Sequence, residues 1–415
     1  MSLSAVTEAT RLREIRAIHV PAVLFGAGVA LLSIYVFTYA IPLHHENDFY
    51  REAWPAYQLL LRGRVLGFLR ASPAYVGSLV LRAPLALLAG ALGAPARGVY
   101  VATAIPCLLA PGLLAGYLAA EPRVEPARST GDSRRRGLRP ADGFMLTPPA
   151  VVAVVGGHPE DVLGGALCVL AMLLACRGSG RATGLALGLA VINKQWALVA
   201  VPLVIAMVPK ERRLEAIVTL VVTAGVVMIP VTAVRMSSAS TFSGALGDPT
   251  SSILLTPQLL WWLGPSSWVV HQAHILLVLA AWLVTGLWWW LRVHGNRGRP
   301  PVPDALAALA LVLFLRCALD PMDNVYYFAP FMLAVAALED PPGFPKLTWL
   351  FVVAIPLIVP PAGVFHSLGP TALAALFTAF ALATIAWFGR LAFRSSAEPD
   401  ALAYAAAATT AGSPG

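Results

Sequence analysis

Residues 213–234 read RLEAIVTLVVTAGVVMIPVTAV and form an apolar run of the roughly 20 residues that a helix needs to cross the hydrocarbon core of a bilayer. Similar runs recur from residue 17 to residue 390. Hydrophobic residues make up 58% of the 415 residues and charged residues only 12%, whereas a soluble domain has about a quarter charged residues. Because such a chain cannot cover itself with a hydrated surface, lipid is its expected solvent.

Backbone hydrogen bonding selects the helix for these runs. A backbone inside lipid must satisfy its own N–H and C=O groups, and the runs lack the period-two alternation of a transmembrane barrel. The sequence therefore predicts an all-α fold, a polytopic transmembrane helical bundle of about 10–12 spans that includes re-entrant half-helices. The expected layout is a cytoplasmic N-terminal segment (1–16), a single transmembrane domain (17–392) whose first span is the uncleaved run 17–43, and a disordered cytoplasmic tail (393–415).

Basic residues cluster in short connections between the runs. By the positive-inside rule these connections are expected on the cytoplasmic side; they lie at residues 11–16, 120–142, 177–181, 210–213, 292–299 and 390–394. The acid-bearing connections then share the outer face; they lie at 44–72, 156–161, 236–268 and 319–324. Because topology explains the net charge of +8, no nucleic-acid partner is expected.

Two regions fit this topology less simply. Residues 74–119 resemble two spans, whereas the charge pattern requires an odd number of crossings, which is compatible with one re-entrant segment. Residues 184–209 have basic connections at both ends and are interrupted by Asn193, Lys194 and Gln195. Either a pair of re-entrant half-helices places Lys194 deep in the bundle, or one long helix buries it.

The first outer loop, residues 44–72, combines an acidic residue with a predicted interfacial helix. Apolar side chains repeat at helical spacing after Asp48; they are Tyr50, Ala53, Trp54, Tyr57, Leu60 and Leu61. This spacing predicts an amphipathic helix on the membrane surface. Asp48 stands at its N-cap position, so capping and a functional carboxylate are the two interpretations of this residue.

Metal-binding patterns are weak throughout the chain. His44, His45 and Glu46 lack the i, i+4 spacing of known ligand pairs, and the four cysteines show no paired spacing. The sequence therefore predicts no metal site and no cofactor, and it leaves open whether a divalent ion assists the reaction. Walker A, dinucleotide-binding and familiar hydrolase motifs are also missing from the sequence, which gives no support to a nucleotide-driven pump.

Charged residues inside or beside the apolar runs are the second functional signal. A cation in a membrane span is costly and usually faces a partner, a cavity or a substrate, which singles out Lys194 and Arg316. Lys194 has no acidic neighbour in sequence, so another helix or an anionic ligand must supply its partner. Arg316 lies one turn before Asp320, which permits an i, i+4 pair. Arg82 and Arg235 are nearer to run ends, where snorkelling accounts for them.

The stretch 156–161 also combines a structural and a functional interpretation. Pro159 suits the first turn of a helix, and Glu160 and Asp161 are favoured there by the helix dipole. His158 and two acids between closely spaced runs equally suit the rim of a pocket.

The order of these motifs resembles the GT-C superfamily of membrane glycosyltransferases, especially bacterial polyprenyl-phosphomannose-dependent mannosyltransferases and their actinobacterial relatives. The matching pieces extend over nearly the whole chain; they are Asn47-Asp48-Phe49-Tyr50, Gly157-His158-Pro159-Glu160-Asp161, residues 188–196 and Asp320-Pro321 followed by Tyr326-Tyr327. Each piece is short, so the order carries the resemblance. The short outer loops and the lack of an unmistakable second acid near Asp48 depart from the family pattern.

The resemblance implies an inverting transfer of a sugar such as mannose from a polyprenyl phosphate to a glycolipid or polysaccharide acceptor. It implies that Asp48 is the catalytic base or positions the acceptor hydroxyl. Lys194 and Arg316 become the expected partners of the lipid phosphate, and the remaining expected substrate-binding residues are His158, Glu160, Asp161, Asp320 and Tyr327. The implied location is the plasma membrane, with the active face extracytoplasmic. A transporter of a lipid-linked intermediate and a non-catalytic partner of an envelope assembly complex are the alternatives.

Overall fold

The computed structural model describes residues 48–119, 156–236, 257–264, 268–294, 300–321, 324–338, 346–359 and 368–393, together with Gly28 and Ala153. Within these ranges every regular element is helical, as the sequence predicts. The expected first span 17–43, residues 44–47, the basic loop 120–142, most of the loop 236–268 and the tail after Phe393 lie outside the described residues.

The described residues form 14 α-helices. In chain order they are α1 (Trp54–Leu61), α2 (Val65–Ala71), α3 (Val76–Ala91), α4 (Ala96–Ala119), α5 (Glu160–Cys176), α6 (Gly180–Asn193), α7 (Val201–Met207), α8 (Lys210–Met236), α9 (Trp268–His271), α10 (Ala273–Trp289), α11 (Val302–Leu319), α12 (Ala329–Leu338), α13 (Lys346–Ile358) and α14 (Pro370–Phe393). Tighter or wider turns accompany them: π-helical turns at Phe49–Ala53 and Trp290–His294, and 3₁₀ turns at Gln195–Val199, Leu259–Leu263 and Val325–Phe328.

Five of the described helices are long and apolar enough to cross a membrane; they are Ala96–Leu114, Lys210–Arg235, Ala273–Arg292, Val302–Leu319 and Pro370–Phe393. The segments Val76–Ala91 and Val325–Leu338 are apolar but shorter. The described residues thus support an all-helical membrane protein. The larger number of about 10–12 spans stays a prediction, because it also counts runs outside the described ranges.

Two of the long helices, α11 and α8, differ most in how much of their surface is buried within the protein. The apolar window of α11 is 78% buried within the protein, whereas that of Lys210–Arg235 in α8 is only 6% buried. One face of α8 still packs closely, because Gly184 and Gly188 of α6 let the two backbones approach. A Cβ atom on Gly184 would lie 2.3 Å from the Ala216 carbonyl oxygen, and one on Gly188 would lie 2.6 Å from Cβ of Thr223. Small residues four apart are typical of helix contacts in lipid.

The helix is interrupted at Lys194, in the region 184–209 for which the sequence allows either two half-helices or one long helix. Helix α6 ends at Asn193, and Lys194 is extended with φ −150° and ψ 133° before the 3₁₀ turn Gln195–Val199. The interpretation as a single long helix is therefore wrong, and the re-entrant placement of the two shorter segments stays a prediction. The Lys194 N–H still donates to the Ala190 carbonyl oxygen at 2.9 Å, but the extended backbone ends the helix there, and the Lys194 side chain reaches Asp161 of α5.

Candidate functional site

Asp48 begins the helical segment that the sequence predicts on residues 49–62. The segment forms the π-helical turn Phe49–Ala53 followed by α1, and its buried residues are Phe49, Ala53, Ala56, Tyr57 and Leu60. The predicted apolar face is thus partly correct, with Tyr50 and Trp54 only partly buried. The Asp48 side chain makes no capping hydrogen bond to this segment. Capping therefore does not explain the residue.

The Asp48 carboxylate instead contacts two distant parts of the chain. Its Oδ2 atom lies 3.1 Å from Nε2 of His158 and accepts a 3.3 Å hydrogen bond from the hydroxyl of Tyr326. Gly157 brings these segments together: its φ is +88°, and a Cβ atom there would lie 2.7 Å from the Phe49 backbone nitrogen. Glycine is required for both reasons, since a side chain would be strained and would push the Asp48 backbone away.

Glu160 continues the chain of contacts from His158 into the bundle. Its Oε1 atom lies 2.7 Å from Nδ1 of His158, and its Oε2 atom accepts a 3.1 Å bond from the Arg82 guanidinium. The Asn193 side chain donates to the Glu160 carbonyl oxygen at 2.7 Å. Arg82 is only 3% exposed. Snorkelling is therefore the wrong explanation of this residue, which is held inside the protein by a buried carboxylate.

Asp161 holds two buried cations from other helices. Its Oδ2 atom accepts a 2.6 Å bond from Lys194 Nζ, and its Oδ1 atom lies 3.3 Å from the Arg316 guanidinium. Trp196 donates its indole N–H to Oδ1 at 2.9 Å. The expectation that another helix supplies the partner of Lys194 is confirmed. Arg316 pairs with Asp161 on a different helix, α5, so a pair with Asp320 one turn later is not needed to explain it.

The two remaining predicted residues lie beside this cluster. Tyr327 places its ring against Arg316, 4.4 Å from the guanidinium carbon, and its carbonyl oxygen accepts a 3.2 Å bond from that group. Asp320 lies 3.7 Å from Nε2 of His274 at the start of α10. Asp320 thus contacts a different element from Asp48 and Asp161, and its proposed substrate role stays a prediction.

The structure also shows a second acid near Asp48. Glu52 follows one helical turn later and accepts a 2.8 Å hydrogen bond from the Tyr75 hydroxyl. Ligand atoms of Glu52, Asp48 and His158 lie within 4.8 Å of one another. The sequence reasoning missed Glu52 because it treats this residue as part of the polar face of a surface helix.

The charges of the site come close to balancing. Three carboxylates contact three cations and one histidine; they are Asp48, Glu160 and Asp161 with Arg82, Lys194, Arg316 and His158. Glu52 adds a fourth carboxylate beside Asp48, so with a protonated His158 the four positive and four negative charges of the cluster balance.

The pKa values of the two residues at the exposed end move in opposite directions. Burial by itself raises the pKa of Asp48, but the hydrogen bond and the positive charge of His158 outweigh this effect and hold the pKa below its ordinary value. Burial and Lys194 lower the pKa of His158, but Glu160 and the hydrogen bond to Asp48 outweigh them and place it above its ordinary value. Both shifts favour the ionic form of this pair, a carboxylate at Asp48 and an imidazolium ion at His158.

Among the residues that the structure describes, two sets of side chains place oxygen and nitrogen atoms close enough to surround a metal ion: Asp48, Glu52 and His158, and His158, Glu160 and Asp161. Both ring nitrogens of His158 already face carboxylate oxygens, and Lys194 lies against the two acids of the second set. A metal ion would have to replace these contacts.

No family model, curated protein or solved structure matches this chain. The described residues form helices, five of them long and apolar enough to cross a membrane, and a charged cluster that reaches the protein surface at Asp48. The GT-C resemblance stays an expectation that rests on the motifs above.

Proposed function

We propose that this protein is a membrane glycosyltransferase that moves a sugar from a polyprenyl-phosphate donor to a glycolipid or polysaccharide acceptor. The supporting observation is the state of Asp48, a carboxylate whose side chain is 32% exposed at one end of an otherwise buried ionic cluster. Its Oδ2 atom is held by His158 and Tyr326, whereas Oδ1 takes part in neither bond. An anchored, ionised carboxylate with one accessible oxygen suits a general base.

In the proposed reaction, the acceptor hydroxyl donates its proton to Oδ1 of Asp48 while its oxygen attacks the anomeric carbon. The new glycosidic bond forms as the bond between that carbon and the phosphate oxygen breaks. The lipid phosphate leaves with the bonding electron pair, and a single displacement inverts the anomeric configuration. The proton then passes from Asp48 to water, which reaches the half-exposed carboxyl.

The leaving phosphate gains negative charge, so it requires positive charge nearby. Lys194 and Arg316 are the proposed partners, and their side chains are 9% and 5% exposed. Both already bind Asp161. A phosphate would share these cations with that carboxylate. We place this site on the extracytoplasmic face of the plasma membrane, as the distribution of basic connections indicates.

A transporter of a lipid-linked intermediate is the second candidate, and one observation favours it. The break at Lys194 places an extended residue and a buried cation between two short helices, and broken helices of this kind form the binding sites of many transporters. A transporter needs two compartments, whereas a transferase does not.

The test is a transfer assay with the full-length protein in detergent. We expect the wild-type protein to move labelled sugar from a polyprenyl-phosphate donor to an acceptor glycolipid, with no sealed compartment. The variant Asp48→Asn should lose this activity by about 10²–10⁴-fold, the usual contribution of a general base, while it still unfolds cooperatively on heating. Transfer by folded Asp48→Asn at the wild-type rate would remove the residue from the mechanism. Lack of transfer from every donor, together with substrate movement across sealed vesicles, would favour the transporter.

A further inference from the structure

The two ring nitrogens of His158 face two different carboxylates. Nδ1 lies 2.7 Å from Oε1 of Glu160, and Nε2 lies 3.1 Å from Oδ2 of Asp48. An ionised carboxylate only accepts hydrogen bonds, whereas a neutral imidazole has a single N–H to donate. Both contacts are hydrogen bonds only if the ring carries two protons, or if one carboxyl group is protonated instead.

Glu160 is not the group that takes this proton. Its carboxylate is 1% exposed and contacts Arg82 at 3.1 Å, His158 at 2.7 Å and Lys194 at 3.4 Å. Protonating it would leave the buried Arg82 guanidinium without the carboxylate it pairs with, which is strongly unfavourable. The proton therefore lies between His158 and Asp48.

We propose that His158 is a positioning residue for Asp48: as an imidazolium ion it anchors Oδ2 and leaves Oδ1 directed to the acceptor hydroxyl. This inference rests on the proposed function, in which Asp48 is the base. His158 keeps both of its protons throughout the reaction, so the acceptor proton goes to Oδ1 and from there to water. If the proton sat on Oδ2 instead, Asp48 would be neutral and could not act as the base.

The surroundings of His158 restrict its ring to this bridging position. The residue is 4% exposed. The ring of Tyr326 packs against it with centroids 4.4 Å apart, and the ring of Tyr75 meets it edge to face at 5.3 Å. Gly157 fixes the backbone that carries it. The ring can therefore neither turn to solvent nor release Asp48 without moving two aromatic side chains.

The titratable and charged groups around this pair come from several elements. Around His158 they are Asp48, Glu160, Lys194, Tyr75 and Tyr326, and around Asp48 they are His158, Tyr326, Arg51 and Glu52. Lys194 lies 3.5 Å from Nδ1 of His158 but only 2.6 Å from Asp161. The nearest partners of the ring are thus the two carboxylates.

The first experiment measures kcat/KM for sugar transfer against pH in the wild-type protein and in His158→Gln. Glutamine can donate one hydrogen bond but carries no charge. Because His158 holds the pKa of Asp48 below its ordinary value, the acid limb of the wild-type profile, where Asp48 takes up a proton, should lie at low pH. In His158→Gln the acid limb should move to higher pH by roughly 1–3 units, the usual effect of losing an opposite charge. An unshifted limb in the folded variant would overturn the inference.

His274→Gln is the matched control, because it removes another histidine that lies near a carboxylate, here Asp320 at 3.7 Å. We expect its acid limb to coincide with that of the wild-type protein. A shift as large as that of His158→Gln would also overturn the inference, because it would show that the limb reports general charge loss.

The second experiment requires no activity and so separates this inference from the proposed function. NMR spectra of protein labelled on its 8 histidines are recorded at neutral pH, and the signal lost in His158→Gln identifies His158. We expect a doubly protonated ring that becomes neutral at lower pH in Asp48→Asn than in the wild-type protein. A neutral His158 in the wild-type protein would refute the inference even if sugar transfer occurs. A protein that transfers no sugar but shows the doubly protonated ring would refute only the proposed function.

Discussion

Glu160 and Asp161 are adjacent in the first turn of α5, yet they organise two different regions of the site. Glu160 leads through His158 to Asp48, and we call these three residues the open half because Asp48 is 32% exposed. Asp161 joins Lys194 and Arg316, and we call these the closed half because the exposure of the three side chains is 0%, 9% and 5%. Chemistry with a bulky acceptor requires access, which only the open half offers. The closed half joins three helices and supplies positive charge.

The largest expected effect on stability comes from the closed half. Asp161→Asn leaves two buried cations without their shared carboxylate, which should cost about 3–5 kcal/mol. The measurement is the thermal or denaturant unfolding of the detergent-solubilised protein.

Glu215→Gln is the control, because Glu215 pairs with Arg181 at 2.6 Å on the surface, where the two side chains are 34% and 84% exposed. An exposed pair contributes about 0–1 kcal/mol. Equal losses in the two variants would contradict the distinction between the closed half and a surface ion pair.

The junction between α5 and the Asp48 segment should show the next largest effect. In Gly157→Ala, the new Cβ would meet the Phe49 nitrogen at 2.7 Å and the Asp48 nitrogen at 3.0 Å, in addition to the strain of a φ of +88°. A displacement of about 1 Å at a reacting group can cost roughly a hundredfold in rate. We expect sugar transfer to fall by about that factor.

Gly93→Ala isolates the backbone strain, since Gly93 has a φ of +72° and nothing within 4 Å of an added Cβ. That variant should lose about 1–2 kcal/mol of stability and keep its transfer rate per folded molecule. If Gly157→Ala behaves in the same way, the close approach to Asp48 has no role in the open half.

The smallest effect is expected within the open half itself. Tyr326→Phe removes one 3.3 Å hydrogen bond to Asp48 and leaves that of His158. The acceptor is charged but the bond is long, so we expect a contribution of about 1.5 kcal/mol, the low end for hydrogen bonds to charged groups, and a fall in kcat/KM of roughly tenfold.

Tyr57→Phe is compared with it, because the Tyr57 hydroxyl also donates one 3.3 Å bond, to the Leu79 carbonyl oxygen. Its effect should be on stability alone. A decrease in transfer that is equal in both variants would show that Tyr326 acts only through packing.

The sequence predicts the helices better than it predicts which charged side chains pair with one another. Apolar runs give the helices, and the polar interruption at residues 193–195 gives the break, because both are local consequences of burial and backbone bonding. Asp48 and the acids at 160–161 are likewise visible as charges at the ends of apolar runs. Their pairing is not, because it depends on which helices lie side by side.

Arg82 and Tyr326 illustrate this limit. In sequence, Arg82 looks like a cation near the end of an apolar run, and only the position of Glu160 on a neighbouring helix shows that it is buried with a partner. Tyr326 and Tyr327 are adjacent, and the short 3₁₀ turn that carries them sends one ring to Asp48 and the other to Arg316. No sequence pattern distinguishes the two residues.

Donor binding and sugar transfer measured together on Asp48→Asn test the central assignment most directly. Because Asp48 belongs to the open half and the proposed phosphate partners belong to the closed half, the variant should bind a polyprenyl-phosphate sugar within about threefold of the wild-type affinity, a difference below 1 kcal/mol. In a single turnover it should transfer at least about a hundredfold more slowly. Transfer at the wild-type rate by a folded variant that binds the donor would contradict the assignment of Asp48 as the base.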